Sequence, residues 1–172
     1  MRRLFVFCLL LPAFFAIQSC AHNKTMEFQD TTLQDRTLIA EQVARYAQLW
    51  DRKDVEAFSK LFTEDAVIEW YFANTDDQPP SLKGRENILQ YGYKAQAERL
   101  AGRQSRHHFS GLIFEDITAD SALTEHMFMV THVTPSDPPI VKSTGIYKIE
   151  WRKTDEGWLM SHRKLFVDRR AN

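Results

Sequence analysis

Residues 140–167 read IVKSTGIYKIEWRKTDEGWLMSHRKLFV. The stretch divides at Thr154-Asp155-Glu156-Gly157 into two runs rich in β-branched and aromatic residues, Ile140 to Arg152 and Gly157 to Val167. Two such runs around an Asp-Glu-Gly turn predict an antiparallel hairpin. Working back, Ala122 to Thr134 and Ser105 to Ile117 have the same character. The breaks between them are Thr118-Ala119-Asp120-Ser121 and Pro135-Ser136-Asp137-Pro138-Pro139. Long strands joined by short turns predict an antiparallel meander.

Upstream the periodicity changes. From Thr32, the residues Ile39, Val43, Tyr46, Ala47 and Trp50 recur mostly at three and four and mark one apolar helical face. The cluster Asp51-Arg52-Lys53-Asp54 interrupts it, and Asp54 is placed to cap a short second helix carrying Val55, Phe58, Leu61 and Phe62. A strand-like run, Ala66 to Phe72, leads into a polar loop from Ala73 to Lys83 that contains Pro79-Pro80. Gly84 precedes a third helical stretch from Arg85 to about Ala101. Helices first and strands last predict an α+β fold, with three helices packed on one face of a curved sheet.

The chain has 172 residues, the size of one domain, and its net charge of −1 gives no electrostatic footprint for nucleic acid. Residues 1–19 contain no acid, begin with Arg2 and Arg3, and run apolar from Leu4 to Ile17. A basic start, a short apolar core and small residues after it predict a secretory signal. The apolar run falls short of the roughly 20 residues that a membrane span needs. With Cys8 inside the signal and Cys20 directly after it, the folded domain at 32–170 is expected to have no free thiol. Residues 20–31 are polar and without period, and read as a tether.

Ile17-Gln18-Ser19-Cys20 resembles the cleavage box of bacterial lipoproteins. That resemblance implies that Cys20 is lipidated and that the protein is exported, held by a lipid anchor on the periplasmic side of the cell envelope at the outer membrane. The alternative is a plain signal followed by an incidental cysteine.

The order helix, helix, strand, helix, long antiparallel strands is similar to the SnoaL-like (NTF2-like) cone. The residues that carry the likeness are Tyr46 to Asp54, Leu61 to Val67, Gly84-Arg85-Glu86, Gly145 to Lys148, and Asp155 to Arg163. The resemblance implies a strongly curved mixed or antiparallel sheet wrapped around the helices. It also implies an open end lined by aromatic and apolar side chains, suited to a hydrophobic or aromatic small molecule. Within the fold, Trp50-Asp51, His108-Phe109-Ser110-Gly111 and His132 resemble the active-site segments of scytalone dehydratases. His132 follows His108 with one residue fewer between them than in that family.

That second resemblance implies an Asp51, His108 and His132 acid–base set working without metal or organic cofactor. A carboxylate can orient an imidazole and fix its tautomer, and a neutral imidazole with a pKa near ~6.5 can then take a proton at neutral pH. Trp50, Trp70, Tyr71, Phe128, Val130 and Lys148 are the expected substrate-binding positions. Trp50 and Trp70 replace the two tyrosines of the dehydratases, which argues against the dehydration those enzymes perform, though not against acid–base chemistry as such.

Other readings stay open. Asp51 could cap the helix end, and the histidines could bond across neighbouring strands. The domain could then be a noncatalytic binding module, or associate as a homodimer through the outer sheet face, where Met127 and Met129 are expected. No helical i, i+4 histidine pair and no thiolate set argues for a metal site.

Overall fold

The structure, a computed structural model, describes residues 16–169, with side chains from Thr32 onward. Residues 1–15 of the expected signal segment and the side chain of Cys20 lie outside the described residues. Helix α1 spans Ala16–Asp51 and therefore begins well before the expected start at Thr32. It is followed by α2 (Val55–Ser59), β1 (Phe62–Phe72), β2 (Leu82–Lys83), α3 (Arg85–Ala97), β3 (Gln104–Ile117), β4 (Ser121–Val133), β5 (Ile140–Thr154) and β6 (Gly157–Val167).

Among the described residues six strands form one curved sheet in the order β2-β1-β6-β5-β4-β3. The meander from β3 to β6 is antiparallel throughout, as its short turns require. The first strand joins the far side of that meander: β1 pairs parallel with β6, from Val67 opposite His162 to Phe72 opposite Val167. The chain therefore needs a long crossover between β1 and β6, and α3 with the meander supplies it. Leu82 and Lys83, inside the expected loop, add a two-residue antiparallel edge against Ile68 and Val67.

Helix α1 lies in the concavity of the sheet. Its buried stripe is Ile39, Val43, Tyr46 and Trp50, the spacing that keeps one helical face inward. One buried indole ties helix to sheet, Trp158 donating to Asp35 on α1 at 2.9 Å, and a second ties two strands, Trp151 of β5 donating to Thr124 of β4 at 2.8 Å. Asp54 caps α2 as expected, its Oδ1 accepting from the Ala57 amide at 3.0 Å. Helices α2 and α3 approach closely enough that a Cβ on Gly92 would lie 2.4 Å from Val55 Cγ1, so only glycine fits there.

Irregularities in β3 decide which side chains face inward. Gly111 has φ 65, and the β3–β4 register shifts between Ser110 and Ile113. This bulge reverses the simple alternation. Before it, Ser105, His107 and Phe109 face the core; after it, Leu112 and Phe114 pack inward while Ile113 is exposed. The outer sheet face carries Met127 and Met129 in the open, together with Tyr71 stacked on Phe166 at 4.9 Å.

Candidate functional site

Asp51 is the last residue of α1, and Lys53 turns the chain there with φ 64. A carboxylate at a helix C-terminus opposes the helix dipole, so nothing in α1 itself favours an acid here. Its partners come from β3. Asp51 Oδ1 accepts from the Ser105 hydroxyl at 2.7 Å and lies 2.7 Å from His107 Nδ1, while Oδ2 accepts from the His107 amide at 2.7 Å. Gln104 Nε2 donates to the Asp51 carbonyl at 2.6 Å and fixes the backbone as well. The carboxylate is thus anchored across the helix–strand junction, not to its own helix end, and the capping role does not apply. Burial pushes the Asp51 carboxyl up. The His107 hydrogen bond and charge, the Ser105 hydroxyl and the His107 amide outweigh it and hold the group below its ordinary range.

The imidazole beside Asp51 is therefore His107, not His108. His108 lies on the outer face of β3, is exposed, and has its Nε2 3.3 Å from Thr131 Oγ1. Successive residues of a strand point to opposite faces, so the two adjacent histidines cannot both reach Asp51. With Nδ1 bound to the carboxylate, His107 keeps its proton on that nitrogen and leaves Nε2 with an open lone pair, free of any partner among the described residues.

His132 does join this face. It pairs with Ser105 across β3–β4 while His107 pairs with Val130, which makes the two imidazoles diagonal neighbours on the inner side. Its Nδ1 is buried without a partner. Burial lowers the His132 pKa, and the charges of Lys142, Arg103, Arg99 and His107 lower it further, so it stays neutral at pH 7.

A cavity of about 660 Å³ opens at this end of the sheet. Trp70, Phe72, Tyr91, Leu82, Leu165 and Val167 form its apolar wall. Trp70 and Tyr91 sit with ring centroids 5.5 Å apart, and Trp50 stacks on Tyr91 from below at 6.3 Å. Of the expected binding positions, Trp70 lines the cavity and Trp50 supports its wall. Phe128 and Val130 are core residues, 5% and 7% exposed. Tyr71 and Lys148 face away. Tyr71 donates to Glu69 on the outer face at 3.1 Å, and Lys148 is held between Glu125 at 2.8 Å and Glu115 at 3.2 Å. Both stand one residue along their strands from an inward-facing neighbour, Trp70 and Tyr147, which explains the displacement.

Deeper in the cone lies a polar group that strand alternation alone does not pick out. Arg163 is 4% exposed, donates from Nη1 to the Tyr46 hydroxyl, and lies over the rings of Tyr46 and Tyr147, 5.3 Å from each. His126 stacks against Tyr147 at 5.2 Å with both ring nitrogens buried and unpartnered. Burial, with a smaller contribution from Arg163, lowers its pKa to about 4. Among the described residues no group of three or more His, Cys, Asp or Glu side chains is placed to hold a metal ion.

Similarity to known proteins agrees with this architecture. Residues 31–164 match the profile of the SnoaL-like domain. Three solved structures from Novosphingobium aromaticivorans share the fold. An NTF2-like protein with a cystatin-like fold is 21% identical over 90% of this chain and 92% of its own, with a TM-score of 0.68. A provisionally assigned scytalone dehydratase is 20% identical over 84% and 93%, also at 0.68. The β subunit of a provisionally assigned aromatic-ring-hydroxylating dioxygenase is 14% identical over 82% and 94%, at 0.71. No curated protein matches the chain. The chain belongs to the SnoaL-like domain family.

Proposed function

We propose that the domain is an acid–base enzyme of the lyase or isomerase type, acting on a cyclic or enolisable small molecule bound in the cavity at the same end of the sheet as His107 and His132. The observation that carries this is the Asp51–His107 pair: a buried carboxylate accepting three donors from β3, with one imidazole nitrogen locked and the other left open. In this reading His107 Nε2 takes a proton from carbon next to a carbonyl. The resulting imidazolium is stabilised by Asp51 and returns the proton, either to a departing hydroxyl or to another carbon of the substrate. Asp51 is a positioning residue. His132, kept neutral, supplies or accepts a hydrogen bond on the same face. Trp70, which lines the cavity, offers its indole N–H as the donor for the substrate carbonyl.

The assay is hydrogen–deuterium exchange at enolisable carbons of cyclic ketones and hydroxyketones, followed by NMR in D₂O. Wild-type protein and His108→Ala should catalyse exchange alike, while His107→Ala should lose about 10²–10⁴-fold. Equal exchange by the His107 variant sinks the proposal.

One observation favours a second reading, a binding module without turnover. The Asp51 and His107 side chains are 8% and 7% exposed and stand behind the cavity wall, not in it. That reading predicts saturable binding with no exchange at any substrate carbon.

For location, the N-terminal segment and Cys20 support an exported protein anchored through lipid on the periplasmic side of the envelope. Homodimerisation through the outer face would cover Met127 and Met129, 55% and 36% exposed.

A further inference from the structure

The cavity wall carries four cations and, among the described residues, no acid. Arg99, Arg103, Lys142 and Arg169 all line it, drawn from the connection between α3 and β3 (Arg99 and Arg103), the start of β5 and the chain just after β6. Several cations elsewhere meet an acid, among them Arg85 with Glu64 at 2.6 Å, Arg152 with Asp65 at 3.0 Å, Lys153 with Asp35 at 2.8 Å and Lys148 with Glu125 at 2.8 Å. The cavity wall differs in gathering four cations around one opening with no acid among its lining residues. Arg103, Lys142 and Arg169 form no ion pair among the described residues, and Arg99 bonds only to the Tyr91 hydroxyl, at 3.2 Å. Three separate chain segments thus converge like charges on one opening, which sets up a positive field that favours an anion there. His132, buried beside Lys142, Arg103 and Arg99, is held neutral and so adds no further positive charge.

We infer that the natural ligand of this cavity is an amphipathic anion: a flat ring system inside, against Trp70 and Tyr91, with one carboxylate at the rim met by Arg103 and Lys142. The volume of about 660 Å³ suits a molecule of two or three rings. The aromatic wall accounts for affinity and the unpaired cations for selection of charge. This inference rests on the small-molecule reading of the cavity and narrows it to acids. It requires no turnover.

The test is calorimetric titration of the whole protein with 2-naphthoate and with its neutral isostere 2-naphthamide. Neither probe has an enolisable C–H, so the outcome is independent of whether Asp51 and His107 catalyse anything. At low ionic strength naphthoate should bind about tenfold tighter than naphthamide, and the advantage should shrink as salt screens the rim. Arg103→Gln and Lys142→Gln should each weaken naphthoate several-fold and leave naphthamide unchanged, whereas Trp70→Leu should weaken both. Acetate, which carries the charge without the rings, should compete only at far higher concentration. Equal affinity for the two probes overturns the inference. So does a charge preference that survives in the Arg103→Gln/Lys142→Gln double variant.

Discussion

Asp51 Oδ1 lies 2.7 Å from His107 Nδ1, and the same carboxylate accepts the His107 backbone amide through Oδ2, also at 2.7 Å. One residue therefore grips both the main chain and the side chain of the other, which fixes the imidazole in position and in tautomer. The nitrogen-15 spectrum of His107 should show the Nδ1-protonated form at neutral pH. Asp51→Asn should erode that preference, because an amide can present its NH₂ group to Nδ1 instead of an acceptor. Asp51→Ala is more severe, since it leaves three buried donors unsatisfied, and should destabilise the fold by roughly 3 kcal/mol. An unchanged His107 tautomer in the Asn variant would mean that Asp51 does not set it.

The pH dependence of this pair has a definite sign. The folded Asp51 carboxyl lies below its ordinary value. Its contribution is therefore present above the unfolded pKa, near ~3.9, and is lost as pH falls through the lower folded value. The stability that Asp51 contributes over Asp51→Ala should therefore shrink only under strongly acidic conditions, below the ordinary carboxylate range. A contribution already lost between pH 5 and 6 would contradict the assignment.

Much of this fold was legible from pattern, and the limits have physical causes. Turn residues and β-branched runs placed the four long strands, and 3–4 spacing placed the buried face of α1. The parallel pairing of β1 with β6 was not legible, because residues 62–72 carry no local mark of which distant strand they join. At the expected site, Asp51 meets a histidine, but it is the neighbour of the one expected: His107 stands beside the carboxylate and His108 faces outward. Alternation says that His107 and His108 differ in face. Only the docking of α1 on β3 says which face is inward. Tyr71 and Lys148 failed for the same reason. The cationic rim was not legible because Arg99 and Arg103, Lys142, and Arg169 lie in three distant stretches of sequence and meet only through the fold.

Gly111 supports the site from a distance. Its φ of 65 belongs to the left-handed region, which L-residues enter at a cost of about 1–2 kcal/mol. A Cβ there would also lie 3.0 Å from Met127 Cε, a flexible end that can move aside. Gly111→Val should therefore destabilise by more than about 2 kcal/mol in urea denaturation, and Gly111→Asn by less, since asparagine tolerates this conformation. Equal effects of valine and asparagine would show that space, not backbone conformation, is limiting.

Cys20→Ala tests the proposed anchor. An acyl chain holds a protein at a bilayer by burying methylenes at about 0.8 kcal/mol each, and stable attachment takes more than one chain. The alanine variant should leave the membrane fraction and appear in the soluble periplasmic extract, while palmitate labelling of the wild type should be lost with the cysteine. Retention of the variant on the membrane would assign the attachment elsewhere.

His126 gives the protein its sharpest expected pH response. Its imidazole is 2% exposed, both nitrogens lack partners, and its pKa is lowered to about 4 by burial and by Arg163. In the unfolded chain the same group titrates near ~6.5. Between these values the unfolded state binds the proton and the folded state does not, so stability rises with pH across that window and falls as the solution is acidified. The difference corresponds to roughly 3 kcal/mol lost between neutral pH and pH 4. His126→Phe keeps an aromatic ring against Phe109 and Tyr147, whose centroids lie 4.7 and 5.2 Å away, and removes two unsatisfied polar atoms. The variant should match or exceed wild-type stability at pH 8, because apolar replacement of an unpaired buried group costs little. At pH 5 it should be clearly the more stable of the two. His132, whose pKa is also lowered, leaves a smaller slope of the same sign in the variant. Parallel stability curves for wild type and variant from pH 4 to 8 would show that His126 is not the group that titrates.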